Sequence, residues 1–285
     1  MNNKALLTFD VELWHETDWL KPHIDTNKIK DSSFEKSIDA ILTSLKSHGH
    51  SATFFVTSTV TEVYPEVVRR IADAGHEIGS HGVDHLRLTN VDKGGYEQKF
   101  KAHIKTLEEV AGKKVLGFRA PHFSLTDTSS WVLDLLVECG LKYDSSIFPM
   151  NMGEYGRSDT PRAPFTLTTK HADKILEVPI STTSIGSIKV PYAGGIYFRL
   201  LPLPIFSYFL KKELKKTFAP VVYFHPHELE AITPKIKSGP WLKRMLKYWG
   251  VGRSYRKFET LLSKFQFGSI EDAYFKDTGF ENSTV

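Results

Sequence analysis

Apolar and polar positions along this chain follow two periods, one typical of buried strands and one typical of helices. Short apolar runs predict strands at 5–9, 52–56, 77–79, 115–118, 176–178, 187–190 and 221–224. Apolar positions three and four apart predict helices at 32–49, 65–75, 96–110, 131–137 and 205–214. Strands that alternate with helices in this way are typical of a parallel sheet with crossover connections, so an α/β fold is expected.

Polar residues directly follow several of the predicted strands. These residues are Asp10, His81, Arg119, Asp144 and His225. In a (β/α) barrel the carboxyl ends of the parallel strands meet at one face, and that face carries the chemistry. The coincidence favours a (β/α) barrel over an open sheet.

The bulk composition is that of an ordinary soluble protein. With 285 residues, of which 41% are hydrophobic, the chain can bury one large core or two modest ones. The net charge of +4 is too small to indicate nucleic-acid binding, and no nucleic-acid motif is present. The single cysteine, Cys139, excludes an intrachain disulfide and predicts a buried thiol in a reducing compartment. The chain runs from Met1 into the first strand without an apolar targeting segment, so a cytoplasmic location is expected.

A pair of histidines and a pair of carboxylates are the strongest candidates for chemistry. His81 and His85 are four residues apart, a spacing at which two imidazoles can bind one divalent cation. The same spacing arises by chance on helix faces, so the pair alone is a weak signal. Asp10 and Glu12 end the first predicted strand, and side chains two apart on a strand share a face. One carboxylate beside two imidazoles is a common catalytic zinc set, which leaves the second carboxylate to act as a base.

Five short motifs stand in order along the chain. They are TFDVE at 8–12, SHGVDH at 80–85, FRAP at 118–121, YDSS at 143–146 and YFHP at 223–226. In this order they resemble the five motifs of polysaccharide deacetylases, carbohydrate esterase family four. The resemblance implies a distorted, incomplete (β/α) barrel of seven strands and metal-dependent N-deacetylation of an acetamido sugar.

The resemblance also implies roles for a base and for metal ligands. Asp10 would be the general base, and Arg119 would hold its carboxylate in position. The metal ligands would be Glu12, His81 and His85, with zinc as the first expectation and other first-row divalent ions as alternatives. The family motif has two adjacent aspartates, whereas Glu12 lies one residue further on. If Glu12 cannot reach the metal, Asp10 would be the third ligand and the base would be unknown.

A catalytic acid and a substrate pocket follow from the same resemblance. His225 would be the acid, and Asp144 would stand behind it and keep the imidazole oriented. The backbone N–H of His122 would stabilise the oxyanion, while its side chain would line the sugar pocket. Pro121 and Tyr143 are the other expected substrate-binding residues.

The sequence pattern changes in the last third of the chain. The segment GGIYFRLLP at 194–202 resembles a subgroup of the family associated with exopolysaccharide and surface-glycan biosynthesis. We therefore expect a single catalytic domain over 1–285, with a subgroup-specific C-terminal portion from about 194.

A basic stretch from Lys235 to Lys257 contains eight lysines and arginines and no acid. One interpretation is a solvated basic face with four apolar residues packed inward, namely Trp241, Leu242, Met245 and Trp249. The other is an anion site, for a sugar diphosphate or for an anionic membrane surface.

The function expected from these observations is removal of an N-acetyl group from a nucleotide- or lipid-linked amino sugar. The expected partner is thus an N-acylated sugar, with peripheral membrane contact at the inner face through 235–257 and no nucleic acid. A deformylase or a cyclic-amide hydrolase would use nearly the same apparatus. A glycan-binding protein without turnover is the alternative from another class.

Overall fold

The computed structural model describes residues 4–20, 32–153, 155–229 and 235–276. The strands are β1 (Lys4–Val11), β2 (Thr53–Val56), β3 (Glu77–Ser80), β4 (Gly117–Phe118), β5 (Tyr143–Asp144), β6 (Phe165–Thr168), β7 (Lys174–Glu177), β8 (Thr182–Ile185), β9 (Ile188–Pro191), β10 (Val221–Phe224) and β11 (Gln266–Gly268). The helices are α1 (Ser32–His48), α2 (Ser58–Val63), α3 (Pro65–Asp73), α4 (Lys93–Ala111), α5 (Trp131–Glu138), α6 (Gly195–Leu200), α7 (Leu203–Glu213), α8 (Pro226–Leu229), α9 (Trp241–Tyr248), α10 (Val251–Lys264) and α11 (Ile270–Tyr274).

A curved sheet forms the centre of the molecule. Within the described ranges, seven parallel strands run in the order β10-β1-β2-β3-β4-β5-β7. β6 continues the row beyond β7 in antiparallel orientation, and β11 pairs with the first residues of β1. The row begins at β10 and ends at β6, so the sheet is a curled half-barrel. This is the distorted, incomplete barrel expected from the sequence.

The parallel arrangement explains both the strand sequences and the position of the polar motifs. Every residue of β1 after Lys4 is buried, because a strand covered on both faces becomes a continuous apolar run. Since the strands are parallel, the carboxyl ends of β1, β3, β4, β5 and β10 meet at one edge of the sheet. The five sequence motifs therefore meet at that edge.

Local signals set the ends of the crossover helices. Helix α3 begins with Pro65, whose missing N–H costs nothing in the first turn. Asp92 caps α4 by accepting a hydrogen bond of 2.8 Å from the N–H of Gly95. Gly112 ends α4 in the left-handed conformation, with φ of 67°, where a side chain would be strained.

The predicted strand at 187–190 does not join the parallel sheet, so this part of the expected alternation is wrong. β9 pairs with β8 in a separate antiparallel hairpin. The two residues between these strands are Gly186 and Ser187, and Gly186 has φ of 60°. A two-residue turn with a left-handed glycine returns the chain directly, which leaves no room for a crossover helix.

Residues from the C-terminal third complete the core under the sheet. Phe258 of α10 contacts the rings of Phe9 and Phe224 at centroid distances of 6.0 and 5.5 Å. Phe9 also stacks on Phe54 at 4.7 Å. Cys139 is half-buried, and burial raises the pKa of its thiol. Among the described helices, none has the length and apolarity needed to cross a membrane.

Candidate active site

Three side chains converge at the carboxyl edge of the sheet. Glu12 follows β1, His81 follows β3, and His85 lies four residues further on. Oε2 of Glu12 is 3.7 Å from Nε2 of His81 and contacts Nε2 of His85. All three residues are buried, and their ligand atoms lie within 4.8 Å of one another. This is the histidine pair and carboxylate that the sequence pointed to, brought to one point.

The histidine pair lies on a tight loop and not on a helix face. Gly82, Asp84 and His85 have φ of 77°, 51° and 49°, so the chain between the two histidines turns back on itself. A Cβ at Gly82 would lie 3.1 Å from Cδ of Pro121, so the close approach also requires a glycine. The loop therefore holds two imidazoles against one carboxylate. This requires a strained left-handed backbone at Asp84 and His85, which are not glycines.

Hydrogen bonds to backbone carbonyls set the tautomers of both histidines. Nδ1 of His81 lies 2.8 Å from the carbonyl oxygen of Arg119, and Nδ1 of His85 lies 3.3 Å from that of Glu16. A carbonyl can only accept, so each Nδ1 carries the hydrogen and each Nε2 presents its lone pair to Glu12. Among the described residues, the buried Oε2 of Glu12 has no hydrogen-bond donor of good geometry. One anionic oxygen and two imidazole lone pairs at one buried point fit a divalent cation.

Asp10 lies beside this cluster and is bound by Arg119. Nη1 of Arg119 donates to Oδ1 of Asp10 at 2.8 Å and to Oγ1 of Thr8 at 2.7 Å. Nε and Nη2 of the same guanidinium donate to the carbonyl and the hydroxyl of Ser145 at 3.1 and 2.8 Å. The guanidinium is fully buried and lies 4.3 Å from the ring of Phe55. With both edges of the guanidinium occupied, the position of the Asp10 carboxylate is fixed, as expected for a positioned base.

His225 faces the two carboxylates from the opposite side. Its Nε2 lies 4.0 Å from Oδ2 of Asp10 and 3.9 Å from Oε1 of Glu12. Its Nδ1 lies 3.0 Å from Oε2 of Glu228, three residues along in α8. Burial opposes the charged imidazole, but Glu228, Glu12 and Asp10 outweigh it and raise the pKa of His225 to about 9. The imidazolium can therefore carry a proton at neutral pH, with Nε2 directed at the reacting region.

Glu228 is itself held by Arg199. Nε and Nη2 of Arg199 donate to Oε1 of Glu228 at 3.2 and 3.0 Å. Burial works against ionisation, yet His225 and Arg199 lower the pKa of Glu228 below its usual range. Arg199, Glu228 and His225 thus form a buried chain of alternating charge that ends at the cleft.

A cleft of about 370 Å³ contains these groups. His122 lines it and has φ of 57°, with its ring 4.5 Å from that of His85. Within the described residues, the backbone N–H of His122 has no hydrogen-bond acceptor, which suits the oxyanion donor expected there. The aromatic walls are Trp19, Phe123, Tyr155 and Tyr223. The cleft brings together the Asp10 carboxylate, the His225 imidazole, a candidate cation site and the backbone N–H of His122.

Two family models match successive segments of the chain. Residues 3–143 match the family model described as polysaccharide deacetylase. The match covers just under half of the chain, and it shows that this segment is similar to that family. Residues 145–275 match a second model, described as a domain of unknown function (DUF3473).

Relatives with assigned activities match part of the chain. A peptidoglycan deacetylase of Helicobacter pylori is 25% identical over 160 residues, which cover 54% of this chain and 54% of that protein. A chitooligosaccharide deacetylase of Azorhizobium caulinodans is 32% identical over 106 residues, 36% of this chain and 48% of that protein. The chain thus spans about half the length of these relatives.

Solved structures share the fold over nearly the whole chain. A Mycobacterium smegmatis protein assigned to the polysaccharide deacetylases has a TM-score of 0.58 at 20% identity, covering 95% of this chain and 90% of its own. An allantoinase has a TM-score of 0.57 at 17% identity, with coverage of 95% and 90%. At these identities the likeness shows the fold, which is the curled half-barrel of the deacetylase family.

Asp144 does not stand behind His225, so the sequence-based expectation needs correction. The Asp144 carboxylate accepts hydrogen bonds from the hydroxyl and the N–H of Ser146, and the Ser146 hydroxyl accepts one of 2.7 Å from the N–H of Ala120. Asp144 also faces Glu177, and burial followed by the Asp144 charge raises the pKa of Glu177 well above its usual range. Glu228 occupies the position behind His225, and Asp144 supports the loop after Arg119.

Tyr143 and Pro121 also lie away from the cleft that they were expected to line. Tyr143 points into the core, where its hydroxyl donates to Oε1 of Glu77 at 2.6 Å. Side chains alternate along a strand, so Asp144 and Tyr143 on the two-residue strand β5 face opposite ways. Pro121 is buried against Gly82 and supports the histidine loop. Among the three expected substrate-binding residues, His122 is the one that lines the cleft.

The basic stretch from 235 to 257 forms one wall of the cleft. Its orientation is opposite to the first interpretation, in which the basic side chains faced solvent and the apolar ones packed inward. Lys243, Leu246 and Lys247 of α9 line the cleft. Nζ of Lys247 donates to the carbonyl of Trp14 at 2.8 Å, and burial lowers the pKa of Lys247 to about 8. The four apolar residues expected to pack inward, Trp241, Leu242, Met245 and Trp249, are all exposed. The helix therefore presents lysines to the cleft and apolar side chains outward.

Three residues at this site had no defined role in the sequence analysis, namely Glu228, Arg199 and Lys247. Glu228 follows His225 by three residues, the spacing at which side chains meet across one helical turn, and that signal was readable. Arg199 and Lys247 come from α6 and α9, and their contacts depend on how these helices pack. The spacing of residues along the sequence does not predict how two helices pack against each other.

Proposed function

We propose that this chain is a metal-dependent hydrolase that removes the N-acetyl group from an amino sugar. The observation that carries the proposal is a single cleft in which Asp10 and His225 lie beside a buried cluster of Glu12, His81 and His85. Amide hydrolysis needs an activated water, a stabilised oxyanion and a proton for the departing amine, and each need has a partner in this cleft. The match of residues 3–143 to the polysaccharide deacetylase model supports the same reaction.

The residues divide the steps between them. A divalent cation held by Glu12, His81 and His85 would polarise the amide carbonyl and acidify water. Asp10, held by Arg119, takes a proton from the water that attacks the carbonyl carbon. The oxyanion of the tetrahedral species faces the N–H of His122.

His225 completes the reaction as the acid. Its Nε2 proton passes to the sugar nitrogen, the carbon–nitrogen bond breaks, and acetate and the free amine leave. Glu228 keeps Nδ1 of His225 engaged during this transfer, so that Nε2 stays directed at the leaving nitrogen.

For the substrate we propose a phosphate-activated acetamido sugar, linked to a nucleotide or to a lipid. Four cations line the cleft together with the catalytic groups, namely Arg87, Arg199, Lys243 and Lys247. Arg87 is paired with Asp18 and Arg199 with Glu228. Cations at the rim of a sugar site favour an anionic neighbour of the sugar, such as a diphosphate, over a neutral polymer. A role for the portion from about 194 in exopolysaccharide or surface-glycan synthesis stays a prediction.

Acetate release tests the reaction. Purified protein loaded with zinc would be incubated with a nucleotide-linked, a lipid-diphosphate-linked and an unphosphorylated acetamido sugar. We expect release from a phosphate-linked substrate, loss of release in Asp10→Asn, and unchanged release in the exposed control Asp73→Asn. Absence of acetate from every substrate, with metal bound and sugar binding intact, would favour the glycan-binding alternative. Release of formate or opening of a cyclic amide in its place would support the other hydrolases.

A further inference from the structure

The outer face of α9 is an apolar surface in contact with solvent. Trp241, Leu242, Met245 and Trp249 are 68%, 48%, 40% and 54% exposed. At 100° per residue these four positions fall within about one third of the helix circumference. We call these four residues the α9 apolar face. An amphipathic helix in a soluble protein normally buries such a face, so here the usual direction is reversed.

Contacts on the other side of the helix fix this orientation. Nη1 of Arg199 donates to the carbonyls of Leu246, Lys247 and Trp249 at 2.8, 3.0 and 2.7 Å. Nζ of Lys247 donates to the carbonyl of Trp14 and lies 5.7 Å from its ring. Rotation of α9 to bury its apolar face would break these bonds and remove Lys247 from the cleft. The exposure is thus a consequence of how the active site is built.

The segment that carries the α9 apolar face is basic. The segment from 235 to 257 contains eight basic residues and no acidic one. Lys235, Lys237 and Arg253 of this segment are exposed. A partner that covers the face must therefore offer apolar material together with negative charge. The surface of a bilayer with anionic headgroups offers both over an area of this size.

The composition of the face also matches a bilayer interface. Tryptophan prefers the boundary between headgroups and acyl chains, because its ring is apolar while its N–H needs a polar partner. A tryptophan stands at each end of the face, with leucine and methionine between them. Leu200, 45% exposed, extends the apolar area, because the backbone of the preceding Arg199 packs against Gly250.

We propose that the α9 apolar face docks this protein on an anionic membrane surface. The tryptophans and Leu242 insert at the headgroup boundary, and the basic residues beside them bind anionic headgroups. The same helix forms a wall of the cleft, so docking holds the active site at the bilayer. Membrane binding itself does not depend on the proposed function. Access to a lipid-linked sugar is a consequence that does rest on it.

Vesicle binding by the full chain tests the proposal. Sedimentation would be measured with vesicles of phosphatidylcholine alone and with equal parts of phosphatidylcholine and phosphatidylglycerol. We expect binding to the anionic vesicles that weakens with salt, and little binding to the neutral ones. The double variant Trp241→Gln and Trp249→Gln should reduce the partition coefficient about tenfold or more, because two aromatic anchors are lost. Lys235→Gln with Lys237→Gln should weaken binding and its salt dependence.

A matched control lies on the β8–β9 hairpin, where Ile185 and Ile188 are 58% and 69% exposed. Ile185→Gln with Ile188→Gln should leave vesicle binding unchanged. The Trp241 and Trp249 variant should release acetate from a soluble substrate at the normal rate, which separates failure of docking from failure of the proposed reaction. Vesicle binding that is absent, or equal in the tryptophan variant and the wild type, overturns the proposal. Self-association that the tryptophan variant abolishes, without vesicle binding, assigns the face to a second copy.

Discussion

The imidazole of His225 is held by Glu228, and Glu228 is held in turn by Arg199. Each link in this chain is a charge-assisted hydrogen bond between 3.0 and 3.2 Å. All three residues are largely withdrawn from water, where such bonds are stronger and unpaired charges are costly. The orientation of the acid therefore depends on residues from α6 and α8 as well as on its own strand.

We expect Glu228→Gln to lower kcat roughly tenfold to a hundredfold, with a small effect on KM. Glutamine keeps the shape but removes the charge that stabilises the imidazolium of His225. The measurement is a double-mutant cycle with His225→Ala, using acetate release as the readout. In the His225→Ala background the Glu228 substitution should have no further effect, because its action passes through His225.

Glu62→Gln on α2 is the matched control, since its side chain is exposed and outside the catalytic cleft. It should leave kcat and KM unchanged. Additive losses in the double variant would mean that Glu228 acts on something other than His225.

Glu12→Ala should abolish tight metal binding. Glu12 supplies the one carboxylate oxygen within the histidine cluster, while Asp10 is bound to Arg119. The loss in affinity should exceed the ~10–100-fold that removal of an outer partner costs, because a ligand itself is lost. Metal content after dialysis against a weak chelator measures it, with Asp10→Asn as the comparison. Full zinc occupancy in Glu12→Ala, with loss in Asp10→Asn, would exchange the two roles.

Residue types and spacing predicted the chemistry of this site but not all of its contacts. The histidine pair and Asp10 with Glu12 were readable because each pair is close in sequence and lies at a strand end. Asp144 was paired with His225, yet it faces Glu177 because β5 pairs with β7 in a register that aligns these two residues. The pairing register of two strands some thirty residues apart cannot be read from the local hydrophobic pattern of either strand.

At the scale of single elements, α9 presents two different surfaces on opposite sides. Its inner side contributes cations to the cleft, and its outer side carries the α9 apolar face. The amphipathic pattern was readable from the sequence but its direction was not, because Lys247 on the inner side has its partner in a polar cleft. Hydrophobic periodicity predicts which residues share a face, and the environment decides which face is buried.

Lys247→Gln should raise KM for a phosphate-linked sugar about tenfold and leave KM for a neutral chitooligosaccharide unchanged. The reason is that Lys247 brings positive charge to the cleft while its own bond to Trp14 positions the ammonium group. Steady-state kinetics with both substrates measures the difference. The exposed Lys211→Gln on α7 should change neither value. Equal increases for both substrates would make Lys247 a structural residue.

The length and the burial of a strand decide whether the hydrophobic pattern of the sequence can predict it. The eight-residue strand β1 and the buried four-residue strand β10 were readable as apolar runs. Two-residue strands such as β5 are too short for any period to show, and their existence depends on neighbouring strands. The antiparallel strand β6 is as long as β10, but its residues alternate between half-buried and exposed and form no apolar run, so it was missed.

At the scale of the molecule, the two matched segments share one sheet. β10 comes from residues 145–275, and it pairs along β1 from residues 3–143. Asp10 lies on β1 and His225 directly follows β10, so the expected base and the expected acid come from different matched segments. A single catalytic domain over 1–285 and a cytoplasmic location both stay predictions.

Buried neutral histidines should make the whole fold sensitive to acid. Burial lowers the pKa of His103 and of His76 from 6.5 to about 4. The unfolded chain therefore binds more protons, so stability is fully present above about pH 6.5 and is lost as pH falls toward 4. For the almost fully buried His103 the loss is about 3 kcal/mol. Urea unfolding across this pH range should show a shallower decline in His103→Gln than in the wild type. The exposed control His171→Gln should follow the wild type, and parallel curves for His103→Gln would contradict the assignment.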